Sequence, residues 1–262
     1  KNYFYFMEQN KIKKLKKKII PNKISNLIRK NRLRNIQKKI KLNTISNNII
    51  YSNKTNILSE LCEKYGSDKG FVNFNLKKPY FWKPHSYTSH YHSMFSLSKE
   101  SVKLVFECGL GTNNTKLKSN MSEHGSPGAS LRVWRDYFTN AKIFGADIDN
   151  SILFNEERIK TYYVDQLDTN SINNMWNKIK EDNFDIIIDD GLHEPEANLN
   201  LFHNSFFKLK KYGLYIIEDV PNKYLIYIQN ELKNFEIEIA ILRNKYKEYY
   251  GNNNLIIIKK NT

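Results

Sequence analysis

The chain has 262 residues, 40% of them hydrophobic and 13% aromatic, enough for one α/β domain with an appendage and a sizeable core. Its net charge of +15 is gathered at one end: residues 1–60 hold sixteen Lys and Arg against Glu8 and Glu60, which leaves 26 basic and 25 acidic residues after them. The nearly neutral body argues against a nucleic-acid partner. The charge order and the short apolar runs argue against a secretory signal or a transmembrane segment, so a cytoplasmic location is expected.

Between residues 11 and 42, Ile12, Leu15, Ile19, Ile24, Leu27, Ile28, Leu33, Ile36 and Ile40 recur at spacings of three and four, with a break near Pro21. This predicts a basic, helical N-terminal arm over 1–55 and a folded domain over 56–262. Such an arm suits a partner subunit in a homo-oligomer, peripheral contact with acidic lipid, or a solvated face. The stretch 56–66 predicts a short helix stopped by Gly66. Cys62 and Cys108 read as two buried free thiols of a reducing compartment.

From residue 102 strands and helices alternate. Strands are predicted at 102–108, 141–149, 160–165, 184–190, 213–220, 235–244 and 254–260, and helices at 129–138, 171–180, 197–211 and 222–233. Seven strands in this rhythm predict a mostly parallel sheet with helices on both faces, in which ligands bind beyond the carboxyl ends of the strands. Those ends carry Glu107 followed by Gly109 and Gly111, then Asp147, Asp165 with Gln166, Asp189-Asp190, and Glu218-Asp219. Asp147 is placed for a ribose diol or for a helix cap. A crowded acidic rim with no basic residue beside it repels itself, so a cation or a hydrogen-bonding ligand is expected there. The glycine turn is not GxGxxG and no GxxxxGK[ST] occurs, which weakens dinucleotide and P-loop readings.

The set FECGLGT, GADID, VDQLD, DIIIDDGLH and YIIEDV, with KYGSDKG (64–70), HSYTSHYHSMF (85–95) and GASLRVWRDYF (128–138), resembles the class I S-adenosylmethionine-dependent methyltransferases. More narrowly it is similar to the metal-dependent sugar O-methyltransferases of the macrocin and mycinamicin type and their relatives in bacterial surface-polysaccharide biosynthesis. The resemblance covers roughly residues 58–220. It implies a Rossmann-like sheet and S-adenosylmethionine with Mg²⁺ (or Mn²⁺) as cofactors. It further implies that Glu107, Gly109 and Gly111 line the methionine part of the cofactor, that Asp147 holds the ribose, and that Asp165 and Gln166 lie near the adenine. Lys69 and Ser130 would stand near its amino-acid end, with Asp189 adjacent or structural. Asp190, Glu218 and Asp219 would be the metal ligands and His193 the general base, with Asp190 the other candidate for the proton. Helix caps are the competing reading of the acidic trio and of His193. Two departures, Ala129 in Gly-Ala-Ser-Leu and Leu192 in Gly-Leu-His, bear on substrate detail.

This chemistry suits the residues. A neutral sugar hydroxyl is a poor nucleophile near pH 7. Mg²⁺ takes oxygen ligands and keeps positions open for hydroxyls, and a histidine of ordinary pKa ~6.5 takes the proton. The expected substrate is a sugar or nucleotide-sugar. The Lys-, Asn- and Ile-rich composition suggests a low-GC bacterial genome and favours capsular or surface polysaccharide. Alternatives are an antibiotic or other small-molecule hydroxyl, or RNA gripped by the basic arm.

Overall fold

The computed structural model describes residues 28, 31–32, 34–36, 38–40, 44–50 (backbone only), 55–70, 84–85, 87–243 and 253–261. The chain divides into two compact units, Lys1–Lys41 and Leu42–Thr262. In the first, the described residues between 28 and 39 are helical; the helix expected before Pro21 lies outside the described residues.

The second unit is built on one nine-stranded sheet. In chain order the elements are β1 (Thr44–Ile50), α1 (Ile57–Tyr65), α2 (Thr88–Phe95), β2 (Leu104–Cys108), α3 (Ala129–Tyr137), β3 (Lys142–Asp147), β4 (Asn155–Glu156), β5 (Ile159–Tyr163) and α4 (Thr169–Ile179). Then follow β6 (Phe184–Asp189), α5 (Pro195–His203), β7 (Leu209–Ile217), α6 (Leu225–Glu231), β8 (Ile237–Arg243) and β9 (Asn254–Lys259). The strand order is β1-β8-β9-β7-β6-β2-β3-β5-β4. The pairs among β7, β6, β2, β3 and β5 are parallel, whereas β9 runs antiparallel to both β7 and β8.

The seven strands expected from sequence form the centre, and two more flank them. β1 pairs in parallel with β8 from Thr44↔Ile237 to Ile50↔Arg243, so a strand occupies a stretch that the helical periodicity assigned to the arm. β4 is a two-residue edge on β5. The helix expected over 197–211 stops at His203, because Leu209 already pairs with Phe184 as the first residue of β7. Local chemistry explains several ends. Asn56 caps α1 through a reciprocal bond pair with Ser59, and Gly66 closes it at φ 80°. Asp168 caps α4 by accepting from the Asn170 N–H.

Every residue of β6 is buried, as expected of a parallel strand covered on both faces. Its successive side chains feed two cores. Ile186 and Ile188 join Val105, Leu131, Trp134, Tyr91 and Leu58 beneath α1, α2 and α3. On the opposite face Phe106 packs against Trp176 of α4 with ring centroids 4.7 Å apart, and Phe202 of α5 packs on Tyr215 of β7. Each such buried aliphatic or Phe side chain contributes roughly 1.5–3 kcal/mol. Asp185, also buried, accepts from the Lys103 and Leu104 N–H groups at 2.7 and 2.9 Å and so fixes the start of β2. Cys62 and Cys108 are both free and buried.

Candidate active site

The strand order reverses between β2, whose chain runs on to β3 and β5, and β6, which leads to β7. Crevices open at the carboxyl ends of strands flanking such a reversal. A cavity of about 810 Å³ lies there, and it brings together Gly109, Gly111, Asp147, Asp165, Gln166, Asp190, His193, Glu218 and Asp219. Lys69, Glu107, Ser130 and Asp189 do not line it; all four are buried.

One end of the cavity has the character of a nucleoside site. The turn after β2 holds Gly109 at φ 97° and Gly111 at φ 77°. A Cβ on Gly109 would stand 2.1 Å from the Asp190 carbonyl oxygen, so only glycine lets this turn cross the end of β6. Asp147 accepts from the Leu110 and Asp149 N–H groups at 2.7 and 2.9 Å. Burial pushes its carboxyl up, and those backbone donors work against the rise. Asp149, not Asp147, caps the following turn, which removes the capping alternative for Asp147. Ile148 and Leu167 also line the cavity and are 44% and 59% exposed, an apolar pair suited to a flat ring. The sequence reading passed over both, although each adjoins an expected site residue.

Gln166, expected near the adenine, turns its side chain inward. Its Nε2 donates to Asp189 Oδ1 at 2.7 Å and its Oε1 accepts from the Leu192 N–H at 2.8 Å. Asp189 Oδ2 accepts from Asn198 Nδ2 at 2.9 Å. Asp189, with no exposed surface, is therefore the anchor of the loop that presents Asp190 and His193.

The other end is acidic. One ligand atom from each of Asp190, His193 and Asp219 lies within 4.8 Å of the other two. His193 Nε2 stands 3.9 Å from Asp219 Oδ2, and His193 Nδ1 is buried without a hydrogen-bond partner. Both residues hold left-handed backbone, φ 57° for His193 and 54° for Asp219. Such conformations in residues other than glycine cost energy and cluster at functional sites. Neither is a helix cap: Glu194 holds the N-cap position of α5 and Tyr224 that of α6.

The rim does have basic neighbours, contrary to the expectation from sequence. The Lys69 ammonium reaches Asp190 Oδ2 and Glu218 Oε2 at 2.6 Å each and Glu107 Oε1 at 3.4 Å. Burial alone would lower the Lys69 pKa, but Asp190, Glu107 and Glu218 outweigh it and hold it well above its ordinary value. Glu218, expected as a metal ligand, also accepts from the Tyr91 hydroxyl at 2.5 Å, so both its oxygens already have partners within the chain. Glu107, fully buried, accepts from the Trp134 indole N–H. His85 Nδ1 approaches Asp219 Oδ1 at 3.1 Å and its Nε2 approaches Asp68 Oδ2 at 3.4 Å. Burial lowers the His85 pKa, but the two carboxylates overcome it and push it up to about 10. The Tyr87 hydroxyl donates to Asp219. Tyr87, Tyr91 and Phe95 recur every four residues, a periodicity that marks one face of α2 in sequence but not what that face meets.

No family model matches the chain. Among curated proteins it is 30% identical over 167 residues to the 8-demethyl-8-α-L-rhamnosyl tetracenomycin-C 2'-O-methyltransferase of Streptomyces olivaceus, covering 64% of this chain and 38% of that one. It is 34% identical over 140 residues to the demethylmacrocin O-methyltransferase of Streptomyces fradiae, covering 53% and 33%. The chain thus spans between a third and two fifths of the length of these relatives. Among solved structures it is similar to the MycE methyltransferase from the mycinamycin biosynthetic pathway in complex with Mg and SAH. That match has a TM-score of 0.55 and 25% identity, over 80% of this chain and 56% of that one.

Proposed function

We propose that this chain, which carries a class I S-adenosylmethionine-dependent methyltransferase domain, methylates a sugar hydroxyl with His193 as the base. The observation that carries the reading is the meeting, in one cavity, of Gly109, Gly111, Asp147 and the apolar Ile148 and Leu167 with the Asp190–His193–Asp219 cluster. S-adenosylmethionine, when bound, supplies a methyl group on a positively charged sulfur. A divalent cation, Mg²⁺ or Mn²⁺, supplies a hard positive charge that lowers the pKa of a nearby hydroxyl. The donor set fits such an ion, since the Asp190 and Asp219 carboxylates offer close oxygens at the cavity surface with the Glu218 carboxylate beside them, which leaves His193 for the proton. Asp190 and Asp219 would hold it, with Glu218 adjoining.

The chain's own residues do the rest. Gly109 and Gly111 let the backbone approach the cofactor, Asp147 binds its ribose, and Ile148 and Leu167 enclose its ring. Asp190 and Asp219 orient the acceptor hydroxyl, and His193 Nε2 receives its proton. Gln166 and Asp189 hold the loop from which Asp190 and His193 project. In well-oriented reactions, fixed orientation of this kind can lower a barrier by up to about 7–11 kcal/mol.

The acceptor we favour is a sugar of a bacterial surface polysaccharide, presented as a nucleotide-sugar in the cytoplasm; the Lys-, Asn- and Ile-rich composition supports it. The rhamnosyl and macrolide acceptors in the relatives' names support a sugar more broadly. A labelled-methyl assay with nucleotide-activated sugars beside rhamnosylated antibiotics separates the two contexts. Since Thr44–Ile50 belongs to the sheet, we assign only residues 1–41 to an arm that serves homo-oligomer formation or peripheral contact with acidic lipid. For the base, His193→Ala should lower turnover roughly 10²–10⁴-fold while S-adenosylmethionine affinity, read by calorimetry, stays near wild type. Near-normal turnover at neutral pH would move the role to Asp190.

A further inference from the structure

We infer that Lys69 is a built-in counter-ion of the carboxylate cluster, a positioning residue that fixes Asp190 and Glu218 and with which a divalent cation competes. This inference rests on the metal-dependent reading given above. An ammonium has three N–H donors; Lys69 donates hydrogen bonds to two carboxylates, those of Asp190 and Glu218, and pairs in charge with a third, Glu107, at 3.4 Å. The side chain is 2% exposed and does not line the cavity, so it acts through these carboxylates and not on a bound molecule.

The loop that carries it is fixed from both sides. Gly66 and Ser67 donate backbone bonds to Cys62, and a Cβ on Gly70 would stand 2.5 Å from Cys62 Cβ, so the loop is pressed against α1. The His85 and Thr88 N–H groups donate to the carbonyls of Asp68 and Lys69, which ties the loop to the start of α2. Lys69 thus projects toward the ends of β6 and β7 from a loop held by α1 on one side and the start of α2 on the other.

The electrostatic consequence has a sign. Without Lys69 the buried Glu107 and Glu218 and the half-buried Asp190 would lose their nearest positive charge, a costly arrangement. A divalent ion seated at Asp190 and Asp219 is repelled by an ammonium that already touches Asp190. Lys69 therefore stabilises the cation-free protein and weakens the hold on the cation. A residue that only packed the core would do neither selectively.

The test uses the full chain, with Mn²⁺ as probe, free ion counted by electron paramagnetic resonance at pH 8, and Tm measured with and without the ion. Lys69→Met should lower the cation-free Tm by about 6–20 °C. It should also tighten Mn²⁺ binding roughly 10–100-fold, so the ion restores more of the Tm than it adds to wild type. Lys69→Arg, which keeps the charge, should stay within about threefold of wild-type affinity, as a small change in position costs little at this dielectric. A folded Lys69→Met protein with unchanged or weaker Mn²⁺ affinity would overturn the inference. If Lys69→Met does not fold alone, the double variant Lys69→Met/Glu218→Gln, which removes a charge of each sign, should recover most of the lost Tm. Failure to recover would also overturn it. Wild-type protein that binds no Mn²⁺ would overturn the metal reading and the competition together, whereas wild-type binding with no gain in Lys69→Met overturns the role of Lys69 alone.

Discussion

Replacing Gln166 with Ala tests whether the loop after β6 is held in the way described. Two hydrogen bonds vanish: the 2.7 Å bond to Asp189 Oδ1 and the 2.8 Å bond from the Leu192 N–H. The first serves a fully buried carboxylate, for which a bond contributes about 1.5–3 kcal/mol; the second is an ordinary bond contributing about 0.5–1.5 kcal/mol. Asn198 still satisfies the other oxygen of Asp189, and Leu192 is only half-buried, so water replaces part of the second bond. The expected loss is therefore about 2–4 kcal/mol, which for a domain of this size lowers the Tm by roughly 4–16 °C. Urea unfolding followed by circular dichroism measures it. Gln166→Glu should be worse, since it places a second carboxylate against Asp189. A Gln166→Ala protein within about 0.5 kcal/mol of wild type, the range of an ordinary surface change, would refute the reasoning and return Gln166 to a role at the cavity surface.

Chelation should abolish methyl transfer while leaving S-adenosylmethionine binding intact, because Asp147 and the glycine turn lie apart from the acidic cluster; calorimetry with and without EDTA checks this, and full turnover without metal would contradict it. Removing residues 1–41 should leave the second unit folded, whereas removal through residue 50 should uncover the edge of β8 and lower solubility and Tm. Size-exclusion chromatography and thermal melts of the two truncations compare these outcomes. Asp136 supplies a pH test. Burial works against its ionisation, but bonds from Tyr65, Arg135 and Lys64 hold its carboxyl down to about 2. A depressed carboxylate stabilises the fold above its unfolded pKa of about 3.9, and that contribution is lost as pH falls toward the folded value. Asp136→Asn should thus be less stable than wild type at pH 6, with the gap closing between pH 4 and 2; a gap constant over that range would remove the ion cluster as its cause.

The strands that frame the cavity were legible because parallel strands buried on both faces read as unbroken apolar runs, as in Phe184–Asp189 and Leu104–Cys108. The acidic residues at their ends were legible for the same reason, since each interrupts such a run. What those carboxylates touch was not. Lys69 meets Asp190 across 121 positions and Glu218 across 149, and no local pattern signals a contact of that range. The same holds for Tyr87 and Asp219, 132 positions apart. β1 was hidden because its partner is β8, almost two hundred positions later, and the Ile residues of the arm carried a helical rhythm up to it. The premature end of α5 was hidden because the tie of Leu209 to Phe184 overrides the helix-forming lysines around it.

The placement of β9 between β7 and β8 imposes an order on assembly. On the ribosome β1 emerges before any other strand, but its sheet neighbour is β8, and β8 reaches the rest of the sheet only through β9. The strands from β2 to β7 can therefore pair with one another first, whereas β1 and β8, and the part of the core beneath α1–α3 that Ala240, Leu242, Leu255 and Ile257 fill, wait for residues 254–259. During that interval the open edge of β7 and the lone pair β1–β8 present unpaired backbone, the kind of surface that chaperones shield and aggregates recruit.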